Sequence, residues 1–189
     1  STRMGQDKAL VQLDGRPLIA HQLERLRGLS DDILVTTNRP GLFHDFGVRT
    51  ATDAEPGGGA LEGLRTALRA ARGEWVLVVA CDMPFLCRPL LQHLIELAPL
   101  AEVIVPRWKG EYEPMHAVYA RTCLPTVEAR LAARQRQVIG LYDTVRTQII
   151  TDEVIRRFDP LGLSFFNINT PDDLDKAERL IRQPPAPGR

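Results

Sequence analysis

Cysteine is scarce in this chain, and the little there is does not pair by pattern. The three thiols, Cys81, Cys87 and Cys123, are odd in number, and none stands in a C-x-x-C spacing. That argues against a disulfide framework and against a structural zinc centre. They are expected as small buried hydrophobes in a reducing compartment. An excess charge of one sign is also missing: 24 Lys and Arg balance 24 Asp and Glu. Bulk attraction to nucleic acid or to an anionic membrane is therefore not expected. Long apolar runs are absent as well. The longest centres on Leu77–Ala80 and stops at Cys81-Asp82, far short of a membrane span. No secretory signal is visible, so a cytoplasmic protein without nucleic-acid or membrane partners is expected. Nor is there a Walker A loop, a Ser-His-Asp set or a Cys-His set.

The 189 residues suit one domain large enough to bury a substantial core. It is expected over 1–182, with 183–189 as a proline-rich tail or linker. No internal repeat is seen. The chain begins at Ser1 rather than at methionine, and residues upstream of it are expected.

The opening ten residues, Ser1-Thr-Arg-Met-Gly-Gln-Asp-Lys-Ala-Leu10, organise the reading. Small residues and glycine let a backbone approach a phosphate, because no Cβ stands in the way. Arg3 can fork its hydrogen bonds to phosphate oxygens, and Lys8 can supply a compact positive charge. The same string also suits a solvated surface loop.

Along the chain, Gly15-Arg16-Pro17 opens a helix whose face is Leu18, Ile19, Gln22, Leu23 and Leu26. Ile33–Thr37 is a buried strand closed by the turn cluster Asn38-Arg39-Pro40-Gly41, and Val48–Thr52 is a short strand ending at Asp53. The loop Glu55–Gly59 feeds a helix through Ala71. Trp75–Ala80 is apolar on both faces, as a central parallel strand would be. Pro89–Leu97, Leu124–Ala133 and Val138–Val145 are expected helices. Val103–Val105, His116–Tyr119 and Ile149–Ile150 are expected strands, and Phe165–Asn169 a strand-to-turn segment. Thr170 and Pro171 open the last helix as N-cap and first position. The alternation predicts a single three-layer α/β/α Rossmann-like domain with a mostly parallel sheet. Ligands of such sheets lie beyond the carboxyl ends of the strands. Asn38, Asp53, Asp82 and Asn169 each follow a predicted strand, and all four are candidates.

Asp82 is the sharpest of them. A carboxylate at the mouth of a buried strand can hold Mg²⁺ while phosphates supply further oxygens. Its plainer alternative is a helix cap, which Pro84 and Pro89 disfavour. Asp53 is a ligand or a turn residue on equal terms, and the asparagines suit ordinary turns. Gly57–Gly59 can admit a nucleotide against bare backbone or form a plain surface loop. Gly63, inside a helical pattern, carries a propensity cost of ~1 kcal/mol and points to close approach by a ligand or a neighbouring element. His116 is taken as structural. Arg130, Arg134 and Arg136 form a basic run on one helix, solvated or facing a polyanion.

Together these pieces resemble the molybdenum cofactor guanylyltransferases (molybdopterin-guanine dinucleotide biosynthesis protein A family), within the nucleotidyltransferase fold. The matching strings are S-T-R-M-G-Q-D-K-A-L at Ser1–Leu10, L-D-G-R-P-L at Leu13–Leu18 and T-N-R at Thr37–Arg39. Further on come G-A-L-E-G-L at Gly59–Leu64, C-D-M-P-F-L at Cys81–Leu86 and N-I-N-T-P-D-D-L at Asn167–Leu174. The resemblance implies transfer of GMP from GTP to molybdopterin with release of pyrophosphate. It implies Lys8 on the triphosphate, Arg3 offsetting phosphate charge, and Asn38, Asp53, Gly59 and Gly63 around the nucleotide. Asp82 would hold Mg²⁺, and Asn167 and Asn169 would line the pterin side. Transient contact with other cofactor-biosynthesis or acceptor proteins is a further expectation. In that family a strand and an L-A-G-G segment precede the S-x-R-M-G string, so the first strand of the sheet is expected ahead of Ser1. The rival expectations are cytidylyl transfer to molybdopterin, sugar-nucleotide synthesis, or a non-catalytic GTP-binding protein of the same fold.

Overall fold

The computed structural model describes residues 7–55 and 57–183. Arg3, Pro56 and the tail beyond Gln183 lie outside them.

The chain enters through a 3-10 turn at Lys8–Leu10, begun by Asp7, whose Oδ1 accepts the Ala9 N–H. A hairpin of β1 (Gln12–Leu13) and β2 (Arg16–Pro17) follows. Its two-residue turn has positive φ at both Asp14 and Gly15, the geometry for which an Asp-Gly pair is suited. The helix expected here starts just after Pro17, as α1 (Leu18–Leu26).

Next come β3 (Leu34–Thr36), a 3-10 segment Pro40–Phe46, β4 (Arg49–Ala51) and α2 (Ala60–Ala70). Then β5 (Trp75–Val79), α3 (Arg88–Leu97), β6 (Val103–Trp108), β7 (Glu111–Tyr112) and β8 (His116–Ala120). The chain closes with α4 (Leu124–Ala132), β9 (Thr147–Ile150), α5 (Asp152–Arg156) and α6 (Pro171–Arg182).

The α/β class is as expected, with one difference in strand direction. β8 runs antiparallel to both β5 and β6, and β7 antiparallel to β6, while β6 with β9 and β3 with β4 are parallel. The sheet is thus mixed where a mostly parallel one was expected, because β6, β7 and β8 follow one another without a crossover helix. Side-chain alternation builds the three layers. Val103, Val105, Ala117 and Tyr119 face α2 and α4 through Leu61, Leu64, Leu68 and Val127. Ile104 and Val118 face α3 and α5 through Leu90, Leu94 and Ile155. Each fully buried Leu or Ile contributes roughly 1.5–3 kcal/mol, so the two faces together carry the fold.

Two other expectations change. Val138–Val145 forms only a 3-10 turn at Ile139–Leu141. The Thr144 hydroxyl donates to Leu141 O at 2.7 Å and the Thr147 hydroxyl to Tyr142 O at 3.2 Å, taking carbonyls that a longer helix would use. Phe165–Asn169 makes no ladder: it leaves a 3-10 turn at Leu163–Phe165 and runs as coil into α6. The Arg130, Arg134 and Arg136 run does not share one helix, since α4 ends at Ala132 and Arg134 has φ 58°. Of the cysteines Cys123 is buried and Cys87 half-buried, but Cys81 is exposed, against the expectation.

Among the described residues β3 pairs only with β4, and β5 only with β8. β3 and β5 both line one cavity of about 710 Å³. No helix among the described residues is long and apolar enough to cross a membrane.

Candidate active site

The cavity between β3 and β5 gathers candidates that are far apart in sequence. Lys8, Asp53, Gly59, Gly63 and Asp82 all line it, with Cys81 beside them. At its mouth the Lys8 ammonium donates to Asp82 Oδ2 at 2.9 Å and to Asn169 Oδ1 at 2.6 Å. The two charged side chains keep only 12% and 16% of their surface exposed, so this pair is screened far less than a surface one.

Three elements hold that cluster. The 3-10 turn after Asp7 delivers Lys8. The loop after β5 delivers Asp82, and Asp82 O accepts the Ile168 N–H at 2.9 Å. The N-terminus of α6 delivers Asn169. Thr170 and Asp173 form a reciprocal capping box, and Asp173 Oδ2 also accepts the Asn169 N–H at 3.1 Å. The Thr170 hydroxyl and the Asn169 N–H hold the Asp173 carboxyl below its ordinary range.

The glycines divide by physical cause. Gly59 has φ 78° and ψ −162°, a region essentially closed to other residues. A Cβ on Gly58 would lie 2.5 Å from Glu62 Cβ, so packing fixes that position. A Cβ on Gly63 would meet only Thr36 Oγ1, at 3.8 Å. That is ordinary contact, so no neighbouring element demands glycine there, and its bare face is turned to the cavity.

Asp53 is anchored as well as lining: its Oδ1 accepts the Thr66 hydroxyl at 2.7 Å. Asn38 follows β3 as expected but is exposed and does not line the cavity. Asn167 is half-buried and donates to Phe165 O at 3.2 Å. Neither is brought to the Lys8–Asp82 pair, whereas Asn169 is.

Two further residues shape the site. Gln22 sits in the apolar face of α1, yet its amide donates to Ala80 O and, at 3.0 Å, to Met83 O. It fastens the Asp82 loop from beneath, and a lone amide within an apolar stripe was the available signal. Glu62, fully buried, accepts the Glu55 N–H at 3.1 Å and pairs with Arg65. It ties the glycine loop to α2.

Among the described residues no group of three or more His, Cys, Asp or Glu is placed to hold a metal. Asp82 offers one carboxylate, a donor set that fits a cation whose remaining ligands are water and substrate phosphates. A second hollow, of about 750 Å³, lies at the amino end of β3. Of its charged residues, Arg16 pairs with Glu24 at 2.9 Å and Arg49 with Asp32.

Comparison with known proteins adds to this geometry. The MobA-like NTP transferase domain pattern matches residues 1–149. A probable molybdenum cofactor guanylyltransferase of Pelotomaculum thermopropionicum is 34% identical, over 100% of this chain and 92% of that protein. The crystal structure of molybdopterin-guanine dinucleotide biosynthesis protein A from Archaeoglobus fulgidus superposes with a TM-score of 0.84 at 28% identity, covering 95% of this chain and 93% of that one. The 2-C-methyl-D-erythritol 4-phosphate cytidylyltransferase of Thermus thermophilus shares the fold, with a TM-score of 0.70 at 20% identity over 93% of this chain and 94% of that one.

Proposed function

Because the chain belongs to the MobA-like NTP transferase domain family, we propose that it transfers GMP from GTP to molybdopterin, releasing pyrophosphate in a Mg²⁺-dependent reaction. The observation that carries this reading is the Lys8–Asp82–Asn169 cluster at the mouth of a glycine-lined cavity.

Nucleotide would enter over Gly59 and Gly63, where missing Cβ atoms leave bare backbone. Asp53 would contribute to the guanine nucleotide site from within the cavity, Asn38 would reach only a part of the nucleotide that extends outside it, and Lys8 would contact the triphosphate. Arg3 would offset charge on the same phosphates. Asn167 and Asn169 would line the side where the pterin phosphate enters. Asp82 would hold the metal, which supplies charge neutralisation at the transferring phosphoryl group. A phosphate monoester is already ionised near neutral pH, so the acceptor needs no general base from this chain. What the residues contribute is alignment of two anions and an offset of their repulsion. The reading assigns 1–182 to the nucleotidyltransferase domain and 183–189 to a tail. It puts the protein in the cytoplasm, with transient contacts to other cofactor-biosynthesis or acceptor proteins.

The test is purified protein with molybdopterin and each nucleoside triphosphate in turn, scored by pyrophosphate release and by the dinucleotide formed. GTP should support turnover. Release with CTP alone would replace guanylyl by cytidylyl transfer, and release with none would end the reading.

A further inference from the structure

Among the described residues Lys8 makes its side-chain hydrogen bonds to residues of the site rather than to a scaffold: Asp82 Oδ2 at 2.9 Å and Asn169 Oδ1 at 2.6 Å. The carboxylate suited to a metal is thus already neutralised by an ammonium. A cation approaching Asp82 meets that positive charge at contact distance, in a place where water screens little. An anionic triphosphate changes the balance, because it offers the ammonium another partner. Asn169 matters here because it is held independently. Its own N–H is fixed on Asp173 Oδ2 at 3.1 Å, and the α6 capping box does not use its side chain. The carboxamide is therefore free to serve as the second holder of Lys8.

We infer that Asn169 is a positioning residue that helps keep the Lys8 ammonium on Asp82 Oδ2, so that a divalent cation on Asp82 competes with Lys8 until a triphosphate takes the ammonium. The inference rests on the proposed reading of Asp82 as the metal ligand. Metal and nucleotide then bind with positive coupling: the triphosphate draws Lys8 away and frees the carboxylate, and a metal on Asp82 releases Lys8 to the triphosphate. Coupling of this kind is reciprocal and is typically roughly 5–150-fold.

The experiment measures Mn²⁺ affinity by the paramagnetic signal of the free ion, with and without GTP. The proteins are wild type, Asn169→Ala, Lys8→Met, the double variant and Asp82→Asn. Because GTP itself binds Mn²⁺, the GTP arm is read as a difference between proteins: the gain in Mn²⁺ binding on adding GTP should be several-fold larger for wild type than for Lys8→Met. Without GTP, Lys8→Met should bind Mn²⁺ several-fold more tightly than wild type, and Asn169→Ala should move in the same direction by less. In the Lys8→Met background Asn169→Ala should have no further effect, because its action runs through the ammonium. Asn169 is exposed and its substitution leaves the cap intact, so that variant keeps the test open should Lys8→Met fold poorly. Unchanged or weaker Mn²⁺ binding in Asn169→Ala, with Asp82 still required, overturns the inference and leaves the metal assignment standing. Mn²⁺ binding that ignores Asp82→Asn overturns the metal assignment, and the inference with it.

Discussion

Lowering the pH from 7.5 to 5 should cost the wild-type protein stability through His116, and replacing that one residue should remove the loss. His116 is fully buried at the start of β8, and among the described residues neither ring nitrogen has a partner. The Phe165 ring lies edge-on at 5.0 Å. Burial pushes the imidazole pKa down from 6.5 to about 4, against a smaller opposing pull from Asp159. The Asp159 carboxylate is already occupied by the Leu163 and Ser164 N–H groups, at 3.0 and 2.8 Å. The sign follows from proton binding. Between pH 6.5 and 4 the unfolded chain takes up the proton and the folded one does not, so acid favours unfolding. A shift of that size is worth about 2 kcal/mol by pH 5 and about 3 kcal/mol by pH 4. Glu113 acts in the opposite sense over part of this range. Burial, and then the charge of Glu111, raise its carboxyl to about 7, so the folded state gains stability as pH falls from there toward 4.5. The measurement is therefore a difference: urea denaturation of wild type and His116→Leu at pH 7.5, 6, 5 and 4. The gap between the two proteins should shift by about 2 kcal/mol in favour of the variant from pH 7.5 to 5. Parallel stability curves across that range would refute the reasoning.

Three other outcomes are expected. Asp82→Asn should lower guanylyl transfer by roughly 10²-fold or more across a Mg²⁺ titration, with little change in melting temperature, because asparagine keeps an oxygen for Lys8; an equally large fall in melting temperature would make the residue structural. Gly63→Ala should melt at the same temperature or slightly higher, since alanine gains roughly 0.5–1 kcal/mol in a helix interior and its Cβ meets only Thr36 at 3.8 Å. Its GTP affinity should fall, and calorimetry showing wild-type affinity would remove Gly63 from the nucleotide path. Gln22→Leu removes the side-chain donor to Ala80 O, which keeps the Met83 N–H at 3.3 Å, and to Met83 O, and should cost roughly 1–3 kcal/mol, read by denaturant titration, together with a loss of turnover as the Asp82 loop loosens.

The sequence by itself determined the elements whose signal is local. The apolar run Trp75–Val79, the helical faces of α2 and α3, and the Thr170-Pro171 start of α6 were all legible, because burial on a strand or helix writes its own period into the chain. The motif order that marked the family was legible for a similar reason, since each motif is a short contiguous pattern. Local signals also misled. Val138, Leu141 and Tyr142 have helical spacing and are buried, yet threonine hydroxyls end the turn. The Asp14-Gly15 hairpin was there to be read but is only two residues long on each side. What only the tertiary structure decided was which distant side chains meet. Asn38 and Asn169 look alike as turn asparagines, but Asn169 touches Lys8, with the neighbouring Ile168 N–H clamped to Asp82 O and its own N–H held on Asp173. Gln22 belongs to an apolar stripe by period and to the Asp82 loop by contact. His116 shows the same division: its place on a strand was visible, but its burial depends on groups such as Phe165, more than forty residues away, whose ring packs edge-on against it. Periodicity is a property of neighbours along the chain, whereas a partner for a polar atom is set by packing between elements, and no single segment encodes it.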